Sequence, residues 1–182
     1  MVRRLMTAYS IRPVSAADEP FLWQMLYYAA HMHEERGKTV ADVMANPTLA
    51  LYVTAWGRPG DLGFIAETTP SRRPLGAAWL RLYAGESKTY SPTDDETPEL
   101  AVALLPDYTG QGIGTALLDE LLTAARRQFT TIALSVRAGN PAFRLYQRLG
   151  FRVIGELTNR VGGISYDMRW NCKSCEKTQL TK

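Results

Sequence analysis

The sequence predicts a mixed α/β fold, with a central sheet of about seven strands flanked by about four helices. Three observations predict it. The apolar periodicity runs in the order strand, two helices, a run of antiparallel strands, then strand, helix, strand, helix, strand, strand. The stretch from Glu99 to Val136 has the length of a right-handed strand–helix–strand unit, so its two strands are expected to lie parallel in one sheet. Finally, 182 residues with 46% hydrophobic content suffice for one sizeable core. The expectation is a single domain over residues 8–170, an N-terminal extension over 1–7 and a polar tail over 171–182.

Ala8 to Arg12 reads as a short strand that Pro13 stops, and Ser15 follows as an N-cap for the helical run Phe21 to Ala30. In that run Phe21, Leu22, Met25, Leu26 and Ala29 recur at helical spacing, which marks them as core. His31 to Gly37 reads as a polar loop. A second short helix is expected over Val40 to Ala45, ended by Asn46-Pro47, because proline restricts the residue before it. Gly63 to Glu67 and Leu75 to Tyr83 are strands joined by the turn-rich stretch Thr68 to Pro74, as in an antiparallel hairpin. The acidic loop Asp94-Asp95-Glu96 precedes a strand over Glu99 to Leu105.

Pro106 ends that strand. Gly110-Gln111-Gly112-Ile113-Gly114 forms a glycine-rich turn, and Thr115 to Gln128 is a strong helix with Leu117, Leu118, Leu121, Leu122 and Ala125 on its inner face. Thr131 to Val136 is the next strand. Asn140-Pro141 opens a helix over Ala142 to Leu149, Gly150 closes it, and strands over Phe151 to Glu156 and Ile164 to Trp170 complete the domain.

Charge and cysteine content exclude several classes of function. With 21 basic and 18 acidic residues the formal net charge is +3, too small for a nucleic-acid surface or a polybasic membrane anchor. Cys172 and Cys175 fall in the polar tail and read as solvated thiols, with no further cysteines for a disulfide framework or a zinc site. No apolar run approaches the roughly 18 residues of a transmembrane helix, and no apolar signal segment follows the basic start, so a cytoplasmic location is expected.

Glycines at alternate positions between a strand and a helix let the backbone turn sharply and present its N–H groups without obstruction. Such a turn suits phosphate or pyrophosphate, because the helix start carries unpaired donors and the positive end of the helix dipole. Spacing arbitrates between the known motifs. A Walker loop needs Lys before Ser or Thr, and Gly114 is followed by Thr115-Ala116. A dinucleotide fingerprint needs a small residue at the position of Thr115. The glycines alone leave open a reading in which they only cap and pack the helix.

The wider segment Leu104-Leu105-Pro106-Asp107-Tyr108-Thr109-Gly110-Gln111-Gly112-Ile113-Gly114-Thr115-Ala116-Leu117-Leu118 resembles the acyl-CoA-binding motif of the GNAT acetyltransferases. Downstream, Asn140-Pro141-Ala142-Phe143-Arg144-Leu145-Tyr146-Gln147-Arg148-Leu149-Gly150-Phe151 is similar to the second signature of that family. The resemblance implies an N-acetyltransferase of the GNAT-like fold that uses acetyl-CoA as co-substrate, without a metal. It places the cofactor on Leu104, Leu105, Gln111, Gly112, Ile113, Gly114, Thr115, Asn140 and Tyr146. One position departs: the family carries Arg or Gln where this chain has Thr109, so a side-chain contribution to the phosphates is missing and the backbone N–H groups carry the binding. Arg144 and Arg148 are candidates for compensating charge, with solvated helix residues as the plainer reading.

The resemblance also implies a mechanism. Two parallel strands splay around the pantetheine arm, and a backbone N–H at Leu104 or Leu105 holds the thioester carbonyl and its developing oxyanion. Tyr146 is the candidate general acid for the departing thiolate, with packing as the alternative role. An alkylammonium is protonated at neutral pH, so a base is needed, and Glu99 is the candidate. The plainer reading of Glu99 is an edge-strand surface carboxylate.

His31, His33, Glu34 and Glu35 fall where similar enzymes shape the acceptor pocket. Two alternating histidines are expected to point apart, and no third ligand completes a metal site. Together with Asp94, Asp95, Glu96 and Glu99 the residues of this loop put negative potential around the acceptor, which favours a cationic amine. The acceptor is read as a small-molecule or peptide amine, neither nucleic acid nor membrane is expected as a partner, and a homodimer stays open. The rival reading is a non-catalytic acyl-CoA sensor or scaffold.

Overall fold

The computed structural model describes residues 7–83, 89, 91 and 93–172. Seven strands form one sheet in the order β1-β2-β3-β4-β5-β7-β6, and helices flank it. The strands are β1 (Tyr9–Pro13), β2 (Leu62–Thr68), β3 (Pro74–Arg81), β4 (Glu99–Leu104), β5 (Thr131–Arg137), β6 (Arg152–Thr158) and β7 (Ile164–Asn171). The α-helices among the described residues are α1 (Glu19–Ala29), α2 (Val40–Ala45), α3 (Pro47–Ala50), α4 (Ile113–Ala125) and α5 (Ala142–Arg148). Two compact units divide the chain: Met1–Trp79 with Ala101–Leu121, and Leu80–Leu100 with Leu122–Lys182.

In the first unit β1 pairs antiparallel with β2, Ile11 standing opposite Ala66. Arg12 fastens this pair to the start of α1. Its guanidinium donates 2.7 and 2.8 Å bonds to the two carboxylate oxygens of Asp18 and a 2.8 Å bond to Glu67. The core of this unit holds Leu22, Met25 and Leu26 of α1, Ile65 of β2, Trp79 of β3 and Leu117 and Leu121 of α4, all at most 2% exposed. The Trp79 indole N–H is satisfied by Tyr52 O at 3.0 Å, as burial of a polar group requires.

Local capping explains the helix boundaries. Thr39 Oγ1 and N–H both donate 2.9 Å bonds to Asp42, which starts α2 at Val40. Asn46 does more than end that helix. Its side-chain oxygen accepts from the N–H groups of Thr48 and Leu49, both at 3.0 Å, so Pro47 sits at the first position of α3, a turn absent from the sequence reading. Ser15 likewise caps a 3₁₀ turn over Ala16–Asp18, with α1 following from Glu19.

In the second unit β5 and β7 pair antiparallel along their whole length, Leu134 opposite Met168, and β6 pairs antiparallel with β7. β4 meets β5 in parallel at Glu99 opposite Ala133, and the Ala133 N–H donates to Pro98 O at 2.9 Å. Leu80, Leu122, Ile132, Leu134, Phe151 and Met168 are buried here. Asn171 belongs to β7, and Cys172 is 4% exposed with its N–H donating to Thr130 O at 2.8 Å, so this cysteine is a buried residue and not a solvated thiol. Cys175 and most of the expected extension and tail lie outside the described residues.

Candidate functional site

The first unit builds the glycine turn. Leu105 N–H donates to Leu75 O at 2.8 Å, which holds the end of β4 against β3. Successive N–H groups of a strand point to opposite sides, so the Leu104 N–H turns away from β3. Gly76 permits this approach: a Cβ there would lie 2.2 Å from Leu104 Cδ2 and 2.7 Å from Ala103 O. A 3₁₀ turn over Pro106–Tyr108 follows β4. Thr109 then donates its hydroxyl to Pro106 O at 2.9 Å, so the residue that departs from the family pattern is committed to the local turn.

Gly110 and Gly112 adopt φ values of 71° and 84°, a region that a β-carbon disfavours. A Cβ at either would meet nothing within 4 Å, so the outer side of the turn is open. The first hydrogen bond of α4 in this turn runs from Ala116 N–H to Gly112 O at 3.1 Å. The N–H groups of Gly112, Ile113, Gly114 and Thr115 precede it, and these are the donors that a helix cannot satisfy internally. Ile113 is fully buried and anchors the turn. The Gln111 side chain donates to Asp107 O at 3.0 Å, which braces the outer corner. An open turn of donors at a helix start fits a phosphate or pyrophosphate group.

The second unit carries Glu99, Asn140 and Tyr146. Glu99 is 2% exposed and lies in β4, between β3 and β5, so the edge-strand surface reading is corrected: its strand has a neighbour on each side. Asn140 Oδ1 accepts from Ala142 N–H at 2.9 Å and starts α5. Tyr146 is buried, its ring edge-on to Phe151 with centroids 5.9 Å apart. Burial pushes its phenol up to about 12, because the phenolate would be stranded without water. A cleft of about 560 Å³ is lined by Gly139, Asn140, Pro141, Phe143, Arg144 and Arg148.

The loop after α1 differs from its sequence reading. His31 takes a left-handed conformation with φ of 57° just past the helix, and Met32–Glu34 form a 3₁₀ turn. This geometry brings the two imidazoles together instead of apart, stacked with centroids 6.0 Å apart, and the His33 ring lies 5.2 Å from Tyr28. Strict alternation assumes an extended chain, whereas the left-handed residue reverses the direction of the next side chain. Among the described residues no group of three or more His, Cys, Asp or Glu is arranged to hold a metal, and no helix is long and apolar enough to cross a membrane. In the acidic loop Asp94 is held below the usual carboxylate range, first by the Thr97 hydroxyl and then by the Glu96 N–H.

The model of the Acetyltransferase (GNAT) family matches residues 23–151. The [ribosomal protein bS18]-alanine N-acetyltransferase of Escherichia coli (strain K12) is 44% identical over 59 residues, 31% of this chain and 40% of that protein. The chain thus spans 40% of the length of this curated relative. Among solved structures, Salmonella typhimurium yncA with its cofactor acetyl-CoA aligns at a TM-score of 0.66 and 22% identity, covering 91% of this chain and 94% of that one. The ribosomal-protein-alanine N-acetyltransferase from Brucella melitensis aligns at 0.65 and 22%, covering 89% and 99%.

Proposed function

Because the chain belongs to the GNAT acetyltransferase family, we propose that it transfers an acetyl group from acetyl-CoA to a primary amine by direct attack in a ternary complex. The observation that carries this reading is the glycine turn, whose N–H groups from Gly112 to Thr115 stand ahead of the first α4 hydrogen bond on a side open to ligand. Bound acetyl-CoA supplies the thioester. The amine nitrogen attacks the carbonyl carbon, the N–C bond forms, and the C–S bond breaks to release the thiolate.

The roles of this chain's residues in that step are as follows. Leu104 N–H donates to the carbonyl oxygen as it becomes an oxyanion, a task unsuited to Leu105, whose N–H bonds Leu75 O. Glu99 takes the proton that the ammonium must lose, directly or through water. Tyr146 serves the departing sulfur. At about 12 its phenol keeps its proton at neutral pH. Full transfer to a thiolate of pKa about 8.5 is uphill by about 5 kcal/mol, so the phenol acts by hydrogen bonding the sulfur as charge develops. Asn140 acts by starting α5 and so setting the position of Tyr146.

The acceptor is a primary amine on a protein or a small molecule. The relatives named for ribosomal-protein alanine support an N-terminal amine as one class to test. Calorimetric titration with acetyl-CoA, NAD and ATP, followed by a thiol-release assay over a panel of amines and N-terminal peptides, tests the reading. Binding of acetyl-CoA alone, with thiol released only when an amine is added, is the expected result. Failure to bind acetyl-CoA refutes the proposal.

A further inference from the structure

Resting on the reading of Glu99 as the base, we infer that Arg81 and Arg169 are positioning residues that hold Glu99 as a carboxylate from either flank of β4, ready to take the acceptor's proton. The strand pairing lays these residues in one row. Glu99 stands opposite Ala133 of β5, and Ala133 stands opposite Arg169 of β7. Cross-strand partners share a face of the sheet, so Glu99 and Arg169 point the same way. Ala133 has only a methyl group, and the two long side chains can approach each other above it. The alternate residues Ile132, Leu134 and Met168 are buried on the opposite face.

On the other flank, Leu105 N–H meets Leu75 O while Leu104 lies against Gly76, so β3 and β4 run antiparallel. Counted along both strands, that register sets Arg81 opposite Glu99. Arg81, Glu99, Ala133 and Arg169 all belong to the second unit. Arg81 is 1% exposed and Glu99 is 2% exposed, so both charges are out of water. Directly opposed side chains have β-carbons about 5 Å apart, within reach of a guanidinium and a carboxylate.

Burial alone favours the neutral form of a carboxylate, and a neutral acid accepts no proton. A nearby cation reverses that preference. The other charged groups of this face set the balance. Arg169 Nη1 donates to Asp167 Oδ1, two residues away on the same side of β7. Asp94, held low first by the Thr97 hydroxyl, also feels the Arg169 charge. Arg152 of β6 stands opposite Arg169 and is exposed. Two further carboxylates thus draw on Arg169, which leaves Arg81 the stronger influence on Glu99.

The test is a carbon-13 NMR titration of the Glu99 carboxyl in the full chain labelled at the glutamate side chains, the signal being identified by its loss in Glu99→Gln. Glu99 is expected to be ionised at pH 7. Arg81→Gln should raise its midpoint by about one pH unit, and Arg169→Gln by about half a unit. Arg81→Lys and Arg169→Lys should keep most of the native value, because the charge remains. Asp167→Asn should lower the midpoint by about half a unit, since it removes a competing anion and keeps both arginines. A merely structural role would not move the midpoint in opposite directions with the sign of the charge removed. A midpoint unmoved by both glutamine variants overturns the inference, as does a Glu99 that is protonated at pH 7 in the unaltered protein. Where the glutamine variants do not fold, the Asp167→Asn titration decides, and an unmoved midpoint there overturns the inference. The base reading is separable: an acidic limb of kcat/KM that survives Glu99→Gln refutes that reading and leaves the titration of Glu99 to decide its charge.

Discussion

Replacing Gly76 with alanine puts a β-carbon where β4 already stands. The added carbon would lie 2.2 Å from Leu104 Cδ2, 2.7 Å from Ala103 O and 3.1 Å from Leu104 Cα. The leucine side chain can rotate away, but the carbonyl oxygen cannot. An ordinary C···O approach is about 3.3 Å, so β3 and β4 must separate by roughly 0.6 Å. Overpacking of this kind costs about 1–3 kcal/mol, which for a chain of this size lowers Tm by about 3–10 °C. The displacement also strains the 2.8 Å bond from Leu105 N–H to Leu75 O, and with it the orientation of Leu104 N–H. Gly76→Ala should therefore lower kcat for acetyl transfer as well as Tm. Gly112→Ala is the informative comparison, because a Cβ there meets nothing within 4 Å and only its φ of 84° is unfavourable. It should lose about 1 kcal/mol without disturbing β4. Thermal unfolding with paired kcat and acetyl-CoA titrations reads both variants. A Gly76→Ala protein that melts and turns over like the unaltered one would refute the packing argument.

Tyr146→Phe should lower kcat by about tenfold or more while leaving acetyl-CoA affinity nearly unchanged, and unchanged turnover would remove the acid role. Glu99→Gln should abolish the acidic limb of the kcat/KM profile, so a variant with that limb intact places the base elsewhere. Asp18 is held well below the usual carboxylate range, chiefly by hydrogen bonds from Arg12. A depressed carboxylate stabilises the fold above its ordinary pKa of about 4 and loses that contribution as the medium is acidified further. Asp18→Asn should thus lower Tm by a few degrees at pH 7 and flatten the acid side of the stability profile, and an unchanged profile would exclude the pair as its source.

Features encoded within a few residues of one another were legible in the chain. The limits of α2 follow from the Thr39–Asp42 capping box and the Asn46-Pro47 stop, both of which act over at most a turn of helix. The glycine turn, the helix that follows it and the parallel pairing of β4 with β5 were likewise readable from spacing, because glycine conformation and amphipathic period are local properties. The cofactor reading rests on the family resemblance of the segments that hold them. Residues whose environment is made by distant partners were not readable in the same way. Glu99 looked like a surface carboxylate until β3 and β5 flanked its strand, and Cys172 looked like part of a solvated tail until its N–H met Thr130 O. That Leu105 N–H is already bonded depends on Leu75 O, thirty positions away in the first unit. His31 and His33 stack because one residue takes a left-handed conformation at the end of α1. Burial and partner choice are set by which segments meet across the fold, and a linear pattern records only what each residue can do.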